Sequence, residues 1–496
     1  MSMQPRPLQK IVIVGGGTAG WLAAAMLSCQ LSSELYRIQL IESDALGTIG
    51  LGESTVPPFV GLLRRLGIDE SDFVSQTQAT YKLGIKFSGW RERDNHYFHP
   101  FGVLGHSMGA LDFYHCWLRA RQHGDTTELQ DFSPCRVMAE EGRFFFPEQA
   151  RHTPIGGANY ALHVDATKTA PYLRDYAQKR GVQRTEGLVT RVEQDVQGFI
   201  QALHLQDGQR VEGDFFLDCS GFKALLIGET LGSEYVDWRK YLPCDRAVAI
   251  KTRAVTPVVP YTLAAAHKSG WRWRIPLRET TGHGIVYASE FCSDEQAKSL
   301  LMRHLDAERI DEPRYIPFAA GHRREIWKNN CIALGLSSGF VEPLEATSIH
   351  LVARGVEFFL RYFPNTACHP ALVREYNRKM CADYEEVRDF LMLHYCTTQR
   401  TDTPFWRYCQ TLALPDSLAE RIELFRASGS LPQEGDELFR ASSWQSVFEG
   451  MGIRPDHYNP RVDNLSLLDI QQSLSTAKKA IAGMVKKLPH HTDFLQ

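Results

Sequence analysis

Four consecutive apolar residues, Ile11-Val12-Ile13-Val14, open the patterned part of the chain. A run that is apolar at every position suits a strand covered on both faces, as in a parallel sheet. Gly15-Gly16-Gly17-Thr18-Ala19-Gly20 follows, then a helical pattern from residue 21 to about residue 31. A second strand is predicted over residues 37–41 and ends at Glu42, which completes a βαβ unit. From there to residue 250 the pattern reads as strands and turns, including residues 211–218 before Cys219-Ser220-Gly221. Helical spacing returns over residues 348–363. It then dominates, over residues 371–393, 418–427 and 466–487. No internal repeat, low-complexity tract or long linker interrupts the chain. The expected organisation is an α/β body over residues 1–390 and a mainly helical portion over residues 391–496.

The glycine run carries the first chemical signal. Gly15-x-Gly17-x-x-Gly20 lies between a strand and a helix, the context in which such a run binds a dinucleotide. Gly15 permits the tight turn, Gly17 lets the backbone approach a pyrophosphate, and Gly20 allows close helix–strand packing. Thr18 and Ala19 complete the helix start, where free N–H groups and the dipole favour anions. Glu42 ends the second strand at the distance suited to accepting from the adenosine ribose hydroxyls. A fingerprint this early in a long chain favours FAD over NAD, with later segments returning to complete the site. Two such returns are visible: Phe216-Leu217-Asp218-Cys219-Ser220-Gly221, and Ile332-Ala333-Leu334-Gly335.

Composition narrows the field. Lys plus Arg number 55 against 58 Asp plus Glu, a formal charge of −3, which argues against a general nucleic-acid binder. No uncharged apolar run approaches the ~20 residues that a spanning helix needs, and residues 1–10 show no secretory core. Eleven cysteines, an odd number without a CxxC pair, disfavour a disulfide scaffold or a zinc site and fit a reducing cytoplasm. His490-His491 reads as a solvated pair, not a metal site.

Further along, Gly270-Trp271-Arg272-Trp273-Arg274-Ile275-Pro276 matches the GWxWxIP signature of flavin-dependent halogenases of the tryptophan halogenase type. Other segments resemble the same family in the same order: GGGTAGW from Gly15, GLGEST from Gly50, TYKLGIKF around Lys82, HPFG from His99, DCSG from Asp218, FVEPLE from Phe340 and RTDTPFW from Arg400. The resemblance runs from residue 11 to about residue 406. It implies an FAD-dependent monooxygenase-like α/β fold whose helical C-terminal portion covers the substrate. It also implies FAD used as FADH2, a separate flavin reductase that supplies it, O2, a halide (chloride or bromide) and a small aromatic substrate.

In the chemistry that the resemblance implies, halide is oxidised at the flavin to hypohalous acid. This passes through a buried channel to a lysine beside the substrate. By motif that lysine is Lys82, and Glu345 is the paired carboxylate. An ammonium can hydrogen-bond and polarise hypohalous acid, while a free amine can form a haloamine; the residues leave both open. Glu345 can orient the oxidant or stabilise the cationic ring. Lys86, four residues beyond Lys82, reads as a lining or structural residue. His99 and Phe101 resemble the family's substrate-sandwiching pair. Trp271 and Trp273, on one face of an extended segment, resemble a wall beside the flavin that keeps the arene away from it. Either Thr347 or Ser348 is placed to N-cap the next helix, whose N-terminus matches the family's halide site.

The chain also departs from the tryptophan-specific pattern. Where those members read PLESTG, this one reads Pro343-Leu344-Glu345-Ala346-Thr347-Ser348. Their FWNN and tyrosine pair, which clamp the amino-acid head, are absent from residues 437–452, although Trp444 can still stack on a ring. The expected substrate is therefore indole or a relative without that head. An aromatic hydroxylase on the same fold is an alternative, disfavoured because Gly335-Leu336-Ser337-Ser338 replaces its usual GDA segment. A flavoprotein that binds an indole without chemistry is a second alternative, disfavoured by the retention of Lys82 and Glu345.

Overall fold

In the computed structural model, residues 5–46, 52–432 and 435–495 are described. Gly50 and Leu51, the first two residues of the GLGEST segment, lie outside them, as do residues 1–4. The chain divides into two compact units, each drawn from three segments instead of being separated near residue 390. One takes residues 1–78, 164–239 and 317–387; the other takes residues 79–163, 240–316 and 388–496.

The first unit is built on the predicted βαβ. Strand Lys10–Val14 pairs in parallel with Arg37–Glu42 on one side and with Phe215–Asp218 on the other. Gln183–Glu186 and Cys331–Ala333 extend the parallel sheet, and Trp327–Lys328 closes one edge in antiparallel sense. The apolar run is buried at Ile11, Val12, Ile13 and Val14, as two-faced coverage requires. Helix Thr18–Gln30 begins three residues earlier than its apolar pattern, because Thr18 and Ala19 are already helical behind Gly17.

Two expectations for this part need correction. Residues 211–218 are not one strand. Arg210–Glu212 belongs to a small antiparallel sheet with Ile200–Leu205, while Phe215–Asp218 enters the parallel sheet, the break falling at Gly213-Asp214. The stretch up to residue 250 also contains helices. Ala166–Gln178 has its N-terminus capped by Asp165, and in the second unit Phe113–Gln122 is capped by Asp112. Both cap signals are present in the sequence, but a period-two reading passes over them.

The second unit is organised on an antiparallel sheet in which Arg246–Arg253, Thr280–Tyr287, Gly270–Pro276 and Thr262–His267 are neighbours in that order. Gly84–Ser88 joins in parallel beside Thr262–His267, and His96–Pro100 pairs with it in antiparallel sense. The helical C-terminal expectation holds. Pro370–Cys396, Asp416–Ser428 and Leu467–Val485 match the predicted stretches within a few residues. Asp416–Ser428 stops at Gly429 in the left-handed conformation, and Ser466 caps Leu467–Val485 by accepting from Asp469 N–H at 3.0 Å. Among the described residues no helix is long and apolar enough to cross a membrane.

Candidate active site

In the first unit, the carboxyl ends of three parallel strands converge on the glycine run. Cys219 N–H donates to Val14 O at 2.8 Å, and Leu334 N–H to Asp218 O at 2.9 Å. Gly15 is left-handed at φ +112°, and a Cβ there would lie 2.2 Å from Cys219 O. A Cβ on Gly20 would lie 1.9 Å from Gly15 O, so the helix can approach the strand end only as glycine. At Gly17 a Cβ would meet nothing within 4 Å. This glycine therefore faces open space at the N-terminus of a helix that has no side-chain cap. That is a cradle which packing alone does not require, and it fits a pyrophosphate. Gly335, at φ +66°, brings the second returning segment against Ala19.

Glu42 stands at the end of its strand as expected. Its carboxylate accepts from Trp21 Nε1 at 3.3 Å and from Arg184 Nε at 2.5 Å, which fixes its orientation. Asp218, which sequence reading quoted only as part of a motif, is fully buried. It accepts from Ser220 N–H, Ser220 Oγ, Leu226 N–H and Ile227 N–H at 2.6–3.0 Å, and so ties down the loop after its strand. Burial nevertheless pushes its carboxyl above the ordinary range. These residues fit FAD: an open glycine cradle, an oriented acid at the end of the second strand and a second loop closing from residue 335.

The segment carrying Glu345 is also in this unit. Glu342, Glu345 and Ala346 all adopt positive φ (58°, 66° and 59°) without being glycine, each at a cost of about 1–3 kcal/mol. Glu342 and Glu345 are buried. Such local strain persists only where the surroundings hold it, and it is concentrated on the segment that sequence singled out. Thr347 sits at the capping position of helix Ser348–Arg361, but its side chain makes no capping bond. Its backbone is helical, not extended, which aims the hydroxyl away from the first N–H groups. Ser348 is already inside the helix, so neither hydroxyl acts as the expected cap.

In the second unit, Lys82 has no exposed surface and lies on strand Thr80–Lys82. Its Nζ stands 5.0 Å from the Phe101 ring centroid. The His99 ring is 6.2 Å from Phe101, 5.4 Å from Phe390 and 6.2 Å from Phe439. Phe390 and Phe439 stack at 3.7 Å, and Trp444 meets Phe390 edge-on at 4.9 Å. The predicted residues Lys82, His99, Phe101 and Trp444 thus belong to one aromatic cluster. Sequence reasoning missed its two central members. Phe390 could have been found from its i, i+4 spacing with His394 on one helix face, and Phe439 lies within the 437–452 segment already under scrutiny. Lys86 stands apart, 6.0 Å over Tyr261.

Trp271 and Trp273 are buried 6.0 Å apart in the middle of the same unit's sheet, and Gly284 leaves the room that the Trp273 indole fills. His491 is not solvated as expected. It is buried, with Nδ1 bonded to Val258 O at 2.9 Å and its ring 6.3 Å from Tyr81, and burial pushes its pKa down to about 4.

Comparison with known proteins gives the chain its family. The profile of the family described as tryptophan halogenase matches residues 10–466. Tryptophan 7-halogenase RebH of Lentzea aerocolonigenes is 32% identical over 528 aligned positions, covering 99% of this chain and 98% of the relative. Among solved structures, the flavin-dependent halogenase Xcc4156 from Xanthomonas campestris superposes with a TM-score of 0.94 at 44% identity, covering 99% of this chain and 98% of its own. BrvH, a flavin-dependent halogenase from Brevundimonas sp. BAL3, gives 0.95 at 40% identity and covers 99% of both chains. The fingerprint, the returning loops and full-length similarity together make this chain a flavin-dependent halogenase, an FADH2-using oxidoreductase of the tryptophan halogenase family.

Proposed function

We propose that this enzyme halogenates indole, or another electron-rich arene without an amino-acid head, in preference to free tryptophan. One observation carries the preference. Both carboxylates of the 437–452 segment are already engaged by the protein's own groups. Glu437 accepts from Arg421 at 2.8 Å; Glu449 accepts from Arg454 and from the Tyr114 hydroxyl, both at 2.7 Å. A buried zwitterion needs partners for both charges, and a segment whose acids are already spent on Arg421 and Arg454 offers an ammonium little. The aromatic cluster beside Lys82 instead suits a flat, neutral ring.

Bound FAD, reduced by a separate flavin reductase, supplies with O2 the two-electron oxidation that turns halide into hypohalous acid. Gly15, Gly17, Thr18, Ala19, Gly20, Glu42 and Gly335 would hold it. Lys82 donates an N–H to the oxygen of hypohalous acid, which makes the halogen electrophilic. The ring carbon takes the halogen, and the oxygen leaves as water. Glu345 stabilises the cationic ring by its charge until the ring proton is lost, so the sum is arene plus hypohalous acid to haloarene plus water. His99 and Phe101 hold the ring, Trp271 and Trp273 exclude it from the flavin, and the backbone around Thr347 and Ser348 takes the halide. Burial of Lys82 supports this reading, because a free oxidant of this kind must be kept from water and from other side chains.

The test is a competition. Indole and tryptophan at equal concentration, with reductase, FAD and bromide, are expected to give brominated indole as the dominant product by mass spectrometry. Dominant bromotryptophan would overturn the substrate assignment.

A further inference from the structure

Behind Lys82 lies a buried histidine that the reaction above does not use. His163 has no exposed surface and pairs directly across from Thr80 in the antiparallel register Thr80↔His163, Tyr81↔Leu162, Lys82↔Ala161. Thr80 and Lys82 are two apart on one strand, so they share a face. His163 is therefore the direct neighbour of Thr80 and the diagonal neighbour of Lys82 on that face.

Its hydrogen bonds define its protonation. The Thr80 hydroxyl has a single proton and donates it to Pro276 O at 2.7 Å. Thr80 Oγ1 also lies 3.0 Å from His163 Nδ1, so this contact must be an Nδ1–H donating to the hydroxyl oxygen. His163 Nε2 lies 2.9 Å from Thr262 Oγ1. Burial first, then the electrostatic influence of the neighbouring Lys82, pushes the ring's pKa well below its ordinary value. The ring is therefore neutral, and Nε2 accepts from the Thr262 hydroxyl. A single tautomer thus links three separate pieces of chain: the Lys82 strand, residue 262 on strand Thr262–His267 of the larger antiparallel sheet, and, through Thr80, the Pro276 carbonyl.

We propose that His163 is the positioning residue for Lys82, a neutral Nδ1–H imidazole that fixes the strand carrying the lysine and therefore the place where the halogen is delivered. The inference rests on the delivery role given to Lys82 above. Its charge state matters as well as its shape, because a protonated ring would place a cation diagonally beside the amine.

Substitution should separate oxidant formation from oxidant use. His163→Ala removes both hydrogen bonds; His163→Asn keeps a donor near the Nδ1 position. With reductase, bromide and indole, His163→Ala should still consume FADH2. Haloarene formed per FADH2 should fall by about 10–100-fold, with released hypohalous acid caught by an added scavenger. His163→Asn should recover to within about tenfold of wild type. An unchanged product-to-FADH2 ratio in His163→Ala would overturn the proposal, as would a parallel loss of FADH2 consumption.

Two further readouts need no halogenation. In 15N-histidine NMR of the wild-type protein, the resonance missing from His163→Asn should be a neutral ring protonated at Nδ1; an Nε2–H or doubly protonated ring contradicts the inference. Acylation of Lys82, followed by peptide mapping, should be faster in His163→Ala than in wild type, and equal rates count against the positioning role. If wild-type enzyme halogenates no arene, the functional reading fails, while these two measurements still decide the one about His163.

Discussion

A buried lysine amine is costly unless the surrounding groups hold it in place. Lys82 is such an amine, 5.0 Å from Phe101 and without exposed surface, in the unit that holds the arene cluster. Glu345 is buried in the other unit on a backbone that only a well-supported segment sustains, with φ at +66°. In the proposed reaction the two residues act at different moments, so their variants should fail differently. Lys82→Ala is expected to consume FADH2 and O2 while forming almost no haloarene, measured by flavin absorbance and mass spectrometry in the same sample. Glu345→Gln keeps size and hydrogen bonding and loses only charge. Its turnover should fall by about 10²–10³, the scale of 2–4 kcal/mol of transition-state stabilisation. Near-normal halogenation by Lys82→Ala, or unchanged turnover by Glu345→Gln, would remove that residue from the chemistry.

At the scale of elements, the glycine run makes two distinct demands that single substitutions separate. Gly20→Ala places a methyl 1.9 Å from Gly15 O and must push the helix from the strand end, at about 1–3 kcal/mol in stability. Gly17→Ala meets nothing within 4 Å in the protein. It should leave the melting temperature nearly unchanged and yet weaken FAD binding in a fluorescence titration. Wild-type affinity in Gly17→Ala would mean that no phosphate approaches there. This run was legible in the sequence because strand, turn, helix and acid follow one another within a few dozen residues, and each has its own local signature. The later helices were legible for the same reason. The aromatic cluster was only half legible. His99, Phe101 and Trp444 stood in motifs or in segments under suspicion, whereas Phe390 and Phe439 are brought together from positions 49 residues apart by packing that no local period encodes. His163 was invisible for a related reason, since its meaning lies in a strand register 83 residues away. The failed hydroxyl cap at Thr347 shows the converse: the residue type was right, but the strained backbone preceding it sets the wrong dihedral angles.

At the scale of the whole molecule, one acid should mark the pH dependence of stability. Glu53, in strand Gly52–Ser54, has a carboxyl oxygen that is sealed from solvent and makes no hydrogen bond among the described residues. Burial first, and Asp165 second, raise its pKa from 4.5 to about 7. A raised carboxyl pKa means that the folded state holds a proton which the unfolded chain has released. Its contribution is therefore neutral below about pH 4.5, turns unfavourable as pH rises to about 7, and is constant beyond. The loss is on the order of 1–3 kcal/mol. Urea unfolding between pH 5 and 8 should show that decline in wild type and a flatter profile in Glu53→Gln; identical profiles would place the acid in water. The interleaving of the two units has a consequence for biosynthesis. Each unit is drawn from three stretches of chain, one ending at residue 387 and the other at residue 496. A ribosome that has released residues 79–163 has made the Lys82 strand and its histidine partner, but not the sheet at 240–316 nor the helices after 388 that complete their unit. That segment must wait, apolar and unfinished, through more than three hundred further residues of synthesis. The nascent chain is thus exposed to aggregation for most of its making, and its yield in a cell should depend on translation speed and chaperone supply more than the stability of the finished enzyme suggests.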